Sequence, residues 1–464
     1  MAKVQSLRGR LAGHLSDARS AEGLRRRVTN IGHLLSGNML NAAIMLVSAS
    51  IAARSLGPHV YGIMVLVLSF CRTVERVVRF ESWQPLIKYA AEPGTADDKH
   101  RLSQLYLYGL ILDVGAAMLA TAAAVIIALL IGPLFGMSWE NIALIAIYSL
   151  TILFNISGMP TAALRFSGHF RTIAYSQLSS NIMRVALAIV CGWYGWGVVA
   201  FVSAWAAAQI FGSLIFLFLG FRSLAIQQIP SPFMASARSL RTNFPGFLSF
   251  AWSSNLSMTL RTLSQEADSL LVGAFWGPAA AGYYYIARRL ANVSQQVGGQ
   301  IQAVIYPDVA RMWAQGKIRQ FRATTLQVQV IMGVFGLLML AIGAVFGEWI
   351  IRLGPGGAYT DAYPLLLTQL VAVILIMHGA PSRSAMLAMG LHRQVLFIAM
   401  GSLVLFLVVA CTLVPLIGPI GANIAHIALG AFSAILLDRR WMKEVRFKGV
   451  TPWAGGHAES GTVA

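Results

Sequence analysis

Eight arginines lie inside long apolar stretches of the chain: Arg72, Arg76, Arg79, Arg184, Arg261, Arg288, Arg289 and Arg383. Five acids share those stretches: Glu75, Glu81, Asp113, Glu266 and Asp268. A guanidinium stays charged and forks onto phosphate oxygens, so such a set suits a phosphorylated anion. Arg72, Glu75, Arg76 and Arg79 recur at i, i+3, i+4 and i+7, one face of a helix. Glu75 and Arg79 form an i,i+4 pair that can neutralise itself. There is no Gly-rich phosphate loop, nucleophile elbow or metal-ligand spacing. No catalytic residue, metal or cofactor is therefore expected, and the chain does not read as an enzyme.

The composition says what holds these residues. Of 464 residues, 57% are hydrophobic and 11% are Asp, Glu, Lys or Arg. An ordinary soluble protein is about 25% charged. A soluble enzyme, a disordered chain and a nucleic-acid-binding domain are all excluded. The three cysteines, Cys71, Cys191 and Cys411, each sit in an apolar run and make neither a disulfide framework nor a zinc pattern. The basic N-terminus lacks the short apolar core of a cleaved signal peptide. Leu7, Leu11, Leu15 and Ala18 share a helical stripe, so this segment reads either as an amphipathic surface helix or as a basic tail.

Apolar runs between breakers give about twelve helical spans, near 30–53, 60–88, 105–131, 141–164, 172–193, 197–221, 243–275, 279–306, 323–350, 362–388, 394–414 and 418–437. The charges order them. Both tails and one set of alternate loops carry nearly all the remaining Lys and Arg, whereas the other set carries only Arg54 and Arg352. Cytoplasmic loops hold the basic excess, so both termini are expected in the cytoplasm, and the net charge of +18 is mostly topology.

The halves repeat. Gly57, Pro58 and Gly62 recur 220 residues later as Gly277, Pro278 and Gly282; Gly168 and Arg171 recur as Gly390 and Arg393; Gly195 and Gly197 recur as Gly418 and Gly421. Two six-helix lobes related by a pseudo-two-fold along the membrane normal follow, with a site between them. The expected all-α membrane architecture is a basic tail (1–29), an N-lobe (30–222), a polar linker (223–242), a C-lobe (243–441) and a second tail (442–464).

Depth singles out four arginines. At 1.5 Å per residue, Arg72 lies roughly 20 Å past Pro58, Arg288 roughly 15 Å past Pro278, Arg184 roughly 18 Å past Thr172, and Arg261 roughly 27 Å into a long span. All four fall near the bilayer midplane. The functional reading is a water-filled cavity in which Arg72, Arg76, Arg184, Arg261 and Arg288 bind a phosphorylated substrate. The structural reading braces them against Glu75, Glu266 and Asp268, but these acids are too few to neutralise every arginine. Arg383 lies near a span end and snorkels. Glu75 and Asp268 are the candidates for a coupling H⁺ or Na⁺, with pairing to arginine as their competing role. Tyr283, Tyr284 and Tyr285 fit an interfacial aromatic belt better than a sugar platform. His378 and His426 lie in apolar spans and read as satisfied packing residues.

Several stretches resemble known proteins. Ala53-Arg54-Ser55-Leu56-Gly57-Pro58 with Tyr61-Gly62, and Glu81-Ser82-Trp83-Gln84-Pro85-Leu86-Ile87-Lys88-Tyr89, resemble bacterial polysaccharide flippases. So does the run from Asp268 through Gly277-Pro278, Gly282-Tyr283-Tyr284 and Ala287-Arg288-Arg289-Leu290 to Tyr306-Pro307. The chain resembles the polysaccharide-transporter (O-antigen translocase-like) family of the multidrug/oligosaccharidyl-lipid/polysaccharide exporter superfamily, over roughly residues 30 to 440. The resemblance implies an inner-membrane flippase carrying an isoprenoid-pyrophosphate-linked oligosaccharide to the periplasmic leaflet. Lobes alternating between inward-open and outward-open states, an ion gradient (H⁺ or Na⁺), and partners in lipopolysaccharide or exopolysaccharide assembly are part of that expectation. Lipid II flippases, a related branch, often place arginines in their first span, whereas residues 30–53 here contain none. A cation-coupled multidrug exporter of the same superfamily is the alternative, disfavoured because a cationic midplane repels cationic cargo.

Overall fold

A computed structural model of the chain describes residues 2–79, 82–92, 94–132, 138–238 and 240–450. Side-chain surroundings are described from Leu40 to Arg446, except at 131, 170–171, 174, 253–254, 256–258, 260–265 and 297–307. The amphipathic stripe from Leu7 to Ala18, the side chain of Arg261 and all of Glu81 lie outside those limits.

Among the described residues the elements are helical: α1 (Ala2–Val78), α2 (Trp83–Ala90), α3 (Lys99–Ile131), α4 (Trp139–Phe154), α5 (Gly158–Phe166), α6 (Phe170–Trp193), α7 (Val198–Ile226), α8 (Leu240–Asn243), α9 (Phe247–Ala314), α10 (Ile318–Leu353), α11 (Ala362–Ala388), α12 (His392–Ile417) and α13 (Pro419–Val450). Eight stretches among them are long and apolar enough to cross a membrane. The first of these, Leu40–Ala90, is two passes, because α1 bends at Gly57 (φ 70°) just before Pro58. α9 bends in the same way at Gly277 (φ 81°) before Pro278. A residue at positive φ stops the helical hydrogen-bond ladder, and the proline after it, with φ already helical and no N–H to leave unpaired, starts a new helix, so each long helix becomes two arms. With α6 and the two arms of α9 the passes number twelve, in an all-α membrane protein.

Backbone conformation carries the repeat. Gly57, Gly168 and Gly195 have positive φ, and so do Gly277, Gly390 and Gly418. Helix ends are set by ordinary caps. Asp98 accepts from the His100 and Arg101 amides at the start of α3, and Ser138 accepts from the Asn141 amide at the start of α4. Large apolar side chains stay on the outer faces, as Leu130, Val345 and Leu416 do, each more than 70% exposed. In a membrane protein those faces meet lipid.

The chain forms two units, Met1–Ser55 with Phe70–Thr259, and Leu56–Ser69 with Leu260–Ala464. In unit 1, Leu86, Leu105 and Met159 are buried together with Ile229, Leu240, Phe244 and Phe247. Tyr108 stacks on Phe247 at 4.6 Å between centroids, and the Tyr89 hydroxyl donates to the Pro245 carbonyl. The polar stretch 223–242 is thus folded onto α2 and α3 through its few apolar side chains. In unit 2, Phe321, Met386 and Trp441 form a core at one end of α10, α11 and α13. Unit 2 also holds Leu56–Ser69: Tyr61 meets the rings of Tyr285 and Tyr359 edge-on, at 6.3 and 6.1 Å.

Candidate functional site

Unit 1 brings Arg72 and Arg184 to one residue. Arg72, in the second arm of α1, hydrogen-bonds the buried Tyr148 of α4, and Arg184 of α6 lies close enough to act on the same phenol. Arg184 is 5% exposed. Its Nη2 donates to Gln209 Oε1 at 3.0 Å, and its guanidinium sits 5.9 Å from the Trp205 ring. Gln209 and Trp205 both belong to α7, one turn apart, so a single helix supplies an acceptor and a π face to the same cation. Two guanidiniums that act on one buried phenol, the three groups on three helices, make a cationic locus within the membrane-spanning bundle of unit 1.

The same arm of α1 carries the other predicted residues to different ends. Glu75 accepts from Arg79 Nη1 at 3.0 Å and from Asn155 Nδ2 at 2.6 Å. Arg79 also donates to Ser157. Glu75 is therefore an ion-paired carboxylate with an amide partner. The Arg76 side chain is exposed, and the Arg76 carbonyl accepts from Thr259 Oγ1 at 2.9 Å. The i, i+3, i+4, i+7 spacing is real, but the four side chains separate into the Tyr148 locus, the Glu75–Arg79 pair and an exposed arginine.

Unit 2 holds Asp268 and Arg288 in a second, closed cluster. Arg288 Nη1 donates to Asp268 Oδ1 at 2.6 Å. The Ser269 amide and hydroxyl donate to that oxygen at 2.6 and 3.3 Å. Oδ2 receives the Tyr284 hydroxyl at 2.9 Å and His426 Nε2 at 2.8 Å. Asp268 is fully buried and Arg288 is 9% exposed. The pair has the geometry of a brace between the two arms of α9 and α13. Arg261 lies on the first arm of α9.

Three features were not visible in the spacing. Tyr284 is buried at 0% exposure, which corrects its assignment to an aromatic belt. Consecutive helical residues point about 100° apart, so the triplet cannot share one interface; Tyr283 meets the Tyr359 ring and Tyr285 meets Tyr61 and Arg289. His426 and His378 are both held by carboxylates, His426 by Asp268 and His378 by Asp438 at 3.0 Å. Asp438 also accepts from Gln329 and Ser382, tying α10, α11 and α13. Tyr148, Gln209 and Trp205 carried no motif and emerge only from the fold. Among the described residues no group of His, Cys, Asp and Glu has metal-binding geometry, and Cys71, Cys191 and Cys411 are free thiols.

Comparison with known proteins places this geometry. A family model described as polysaccharide biosynthesis protein matches residues 51–364. "Inner membrane protein YghQ" of Escherichia coli (strain K12) is 25% identical over 341 residues, which is 73% of this chain and 95% of that protein. Among solved structures, an inward-facing multidrug resistance MATE family transporter of the MOP superfamily aligns with a TM-score of 0.67 at 14% identity, covering 90% of this chain and 96% of that one. The lipid II flippase MurJ in an inward closed conformation aligns with a TM-score of 0.65 at 15% identity, covering 90% and 91%. The fold is that of these transporters, and the twelve passes seen here fit it. The two aligned solved structures are a transporter and a flippase rather than enzymes, and the chain is a multi-pass inner-membrane protein.

Proposed function

The chain belongs to the polysaccharide biosynthesis protein family, and from that premise we propose that it is a flippase for an isoprenoid-pyrophosphate-linked oligosaccharide. Movement runs from the cytoplasmic to the periplasmic leaflet, with both termini in the cytoplasm. The observation that carries this reading is that Arg72 hydrogen-bonds Tyr148 and Arg184 acts on the same residue from another helix. Both lie about 20 Å from the start of their helical arms, near mid-depth.

The chemistry follows from the parts. Two guanidiniums suit a pyrophosphate, which offers several oxygens in forked geometry. The Tyr148 hydroxyl donates to one more oxygen, or holds Arg72 while the site is empty. Gln209 and Trp205 fix Arg184 so that its fork is presented without a search through rotamers. The sugars ride in water and the isoprenoid tail stays in lipid. An ion gradient supplies the direction. Drug export is the second reading, but a cationic locus at mid-depth repels the cationic cargo it would need.

The test is made in cells lacking this gene with the glycan pathway otherwise intact. A membrane-impermeant sugar label on spheroplasts reports which leaflet holds the lipid-linked oligosaccharide. Accumulation in the cytoplasmic leaflet, rescued by wild type but not by Arg72→Ala or Arg184→Ala at equal abundance, is expected. Rescue by both variants makes the arginines structural. Normal arrival in the outer leaflet without the protein refutes the flippase reading.

A further inference from the structure

Asp113 lies in α3, outside the cationic locus, and its carboxylate is buried at 8% residue exposure. It joins two helix starts. Oδ1 accepts from Ser82 Oγ at 2.5 Å, and Ser82 immediately precedes α2. Oδ2 accepts from the Met159 amide at 2.9 Å, in the first turn of α5. Both starts follow breaks in the helical path, one after Val78 and one at residues 155–157 between α4 and α5. Helix N-termini carry partial positive charge, so two of them stabilise a buried carboxylate where a cation otherwise would. Gly158 completes the cradle: a Cβ there would lie 1.8 Å from Ser82 Oγ and 2.6 Å from each Asp113 oxygen.

We propose that Asp113 is a proton-binding site that clasps the two helix breaks together when ionised and loosens them when protonated. The proton adds to a carboxylate oxygen. That removes the negative charge which both helix starts face, and turns one acceptor into a donor. Ser82 can reverse its hydrogen bond to receive it, but the Met159 amide is only a donor and loses the charged half of its bond. The first turn of α5 is the element that opens.

The surrounding charges are few. Arg79, just past the end of α1, acts on Asp113 and is itself paired with Glu75. Arg79 also reaches Ser157 at the break before α5, and the side chains of the Arg79–Glu75 pair are 25% and 18% exposed. On α2, Lys88 is about 9 Å beyond Ser82, and on α5, Arg165 is about 10 Å beyond Gly158. Lys88 lies over the rings of Tyr89 and Phe250, and Arg165 over Trp83. On α3 itself, Tyr106 and Tyr108 belong to the apolar core with α2, and Arg241 of α8 acts on Tyr108. On α4, Tyr148 belongs to the cationic locus and Glu140 to the first turn. This proposal does not depend on the substrate named above.

The test is hydrogen–deuterium exchange by mass spectrometry on the full chain in nanodiscs, between about pH 4 and pH 8, corrected for intrinsic exchange. Peptides covering 156–161 should lose protection about tenfold as the pH falls, the size set by losing a charge-assisted hydrogen bond. Asp113→Asn should exchange fast at every pH, with the pH step gone. Ser82→Ala, which keeps the acid and removes a donor to its ionised form, should keep the step and move its midpoint to higher pH. It remains decisive if the asparagine variant does not fold. A wild-type profile without a step, an asparagine variant that keeps the step, or an unmoved midpoint in Ser82→Ala overturns the proposal.

Discussion

Gly62 lies directly against Pro278: a Cβ at Gly62 would sit 1.8 Å from the Pro278 carbonyl oxygen. The relationship is reciprocal within unit 2, for a Cβ at Gly282 would lie 2.7 Å from the Pro58 carbonyl oxygen. Gly62 and Gly282 are the residues that the internal repeat matches, 220 positions apart. Each copy of the turn needs glycine because the other copy's backbone fills the space where a side chain would go.

Gly62→Ala therefore forces backbone apart in a close-packed region and should cost about 3 kcal/mol. Thermal unfolding in detergent should show a clear fall in Tm. Gly115→Ala in α3 is the control, since nothing lies within 4 Å of its would-be Cβ. That change should be neutral or slightly stabilising, by up to about 1 kcal/mol. Equal Tm values for the two variants contradict the reciprocal contact.

Asp268 is the charge on which Arg288, His426 and Tyr284 converge. Asp268→Asn leaves a buried guanidinium without its counter-charge and should destabilise by about 3–5 kcal/mol. Asp268→Asn combined with Arg288→Met removes both charges and should recover much of that loss. The measurement is a double-mutant cycle on detergent Tm and membrane abundance. Additive effects of the two changes contradict the brace.

The fold was largely legible, and the reasons are physical. Long apolar runs, positive-inside loops and Gly-Pro breakers are each strong local signals, and twelve passes follow from them. Gly57 and Gly277 were readable as turns because a left-handed residue before proline leaves little choice of conformation. The site was less legible. Helical spacing put Arg72, Glu75, Arg76 and Arg79 on one face, yet a face does not say which neighbour each side chain meets. Asn155 and Ser157 take up Glu75 and Arg79 at a break in the fourth pass, where Asn155, Ser157-Gly158 and Pro160 interrupt a run that reads as one continuous span. Tyr148 meets Arg72 from a helix 76 residues further along the chain, and Gln209 meets Arg184 across the turn between α6 and α7; no spacing rule within one helix reaches either contact.

Gln209 fixes Arg184 without touching substrate in this account. Gln209→Leu should keep the protein folded and abundant while weakening substrate capture, because the guanidinium loses its acceptor. About a tenfold rise in the half-saturating substrate concentration, with maximal rate nearly unchanged, is the expected split. A fall in maximal rate with unchanged half-saturation contradicts this positioning role.

Asp438 ties three helices of unit 2 through Gln329, His378 and Ser382, and Ser382 also accepts from Trp441 Nε1 at 3.0 Å. Asp438→Asn should lower stability by about 1–3 kcal/mol. Ser382→Leu should cost at least as much, since it strands the buried indole N–H as well. Denaturation curves of the two variants check the order.

The most direct measurement is flipping by the purified protein. Proteoliposomes would carry an isoprenoid-pyrophosphate-linked oligosaccharide, and an impermeant sugar-modifying reagent would report the exposed fraction over time. The account predicts that wild type equilibrates the lipid-linked sugar between leaflets. Arg72→Ala and Arg184→Ala should each slow this by tenfold or more, in line with about 1.5–3 kcal/mol per charged hydrogen bond. Wild-type vesicles that leave the lumenal pool protected, or arginine variants that flip at the wild-type rate, would contradict it.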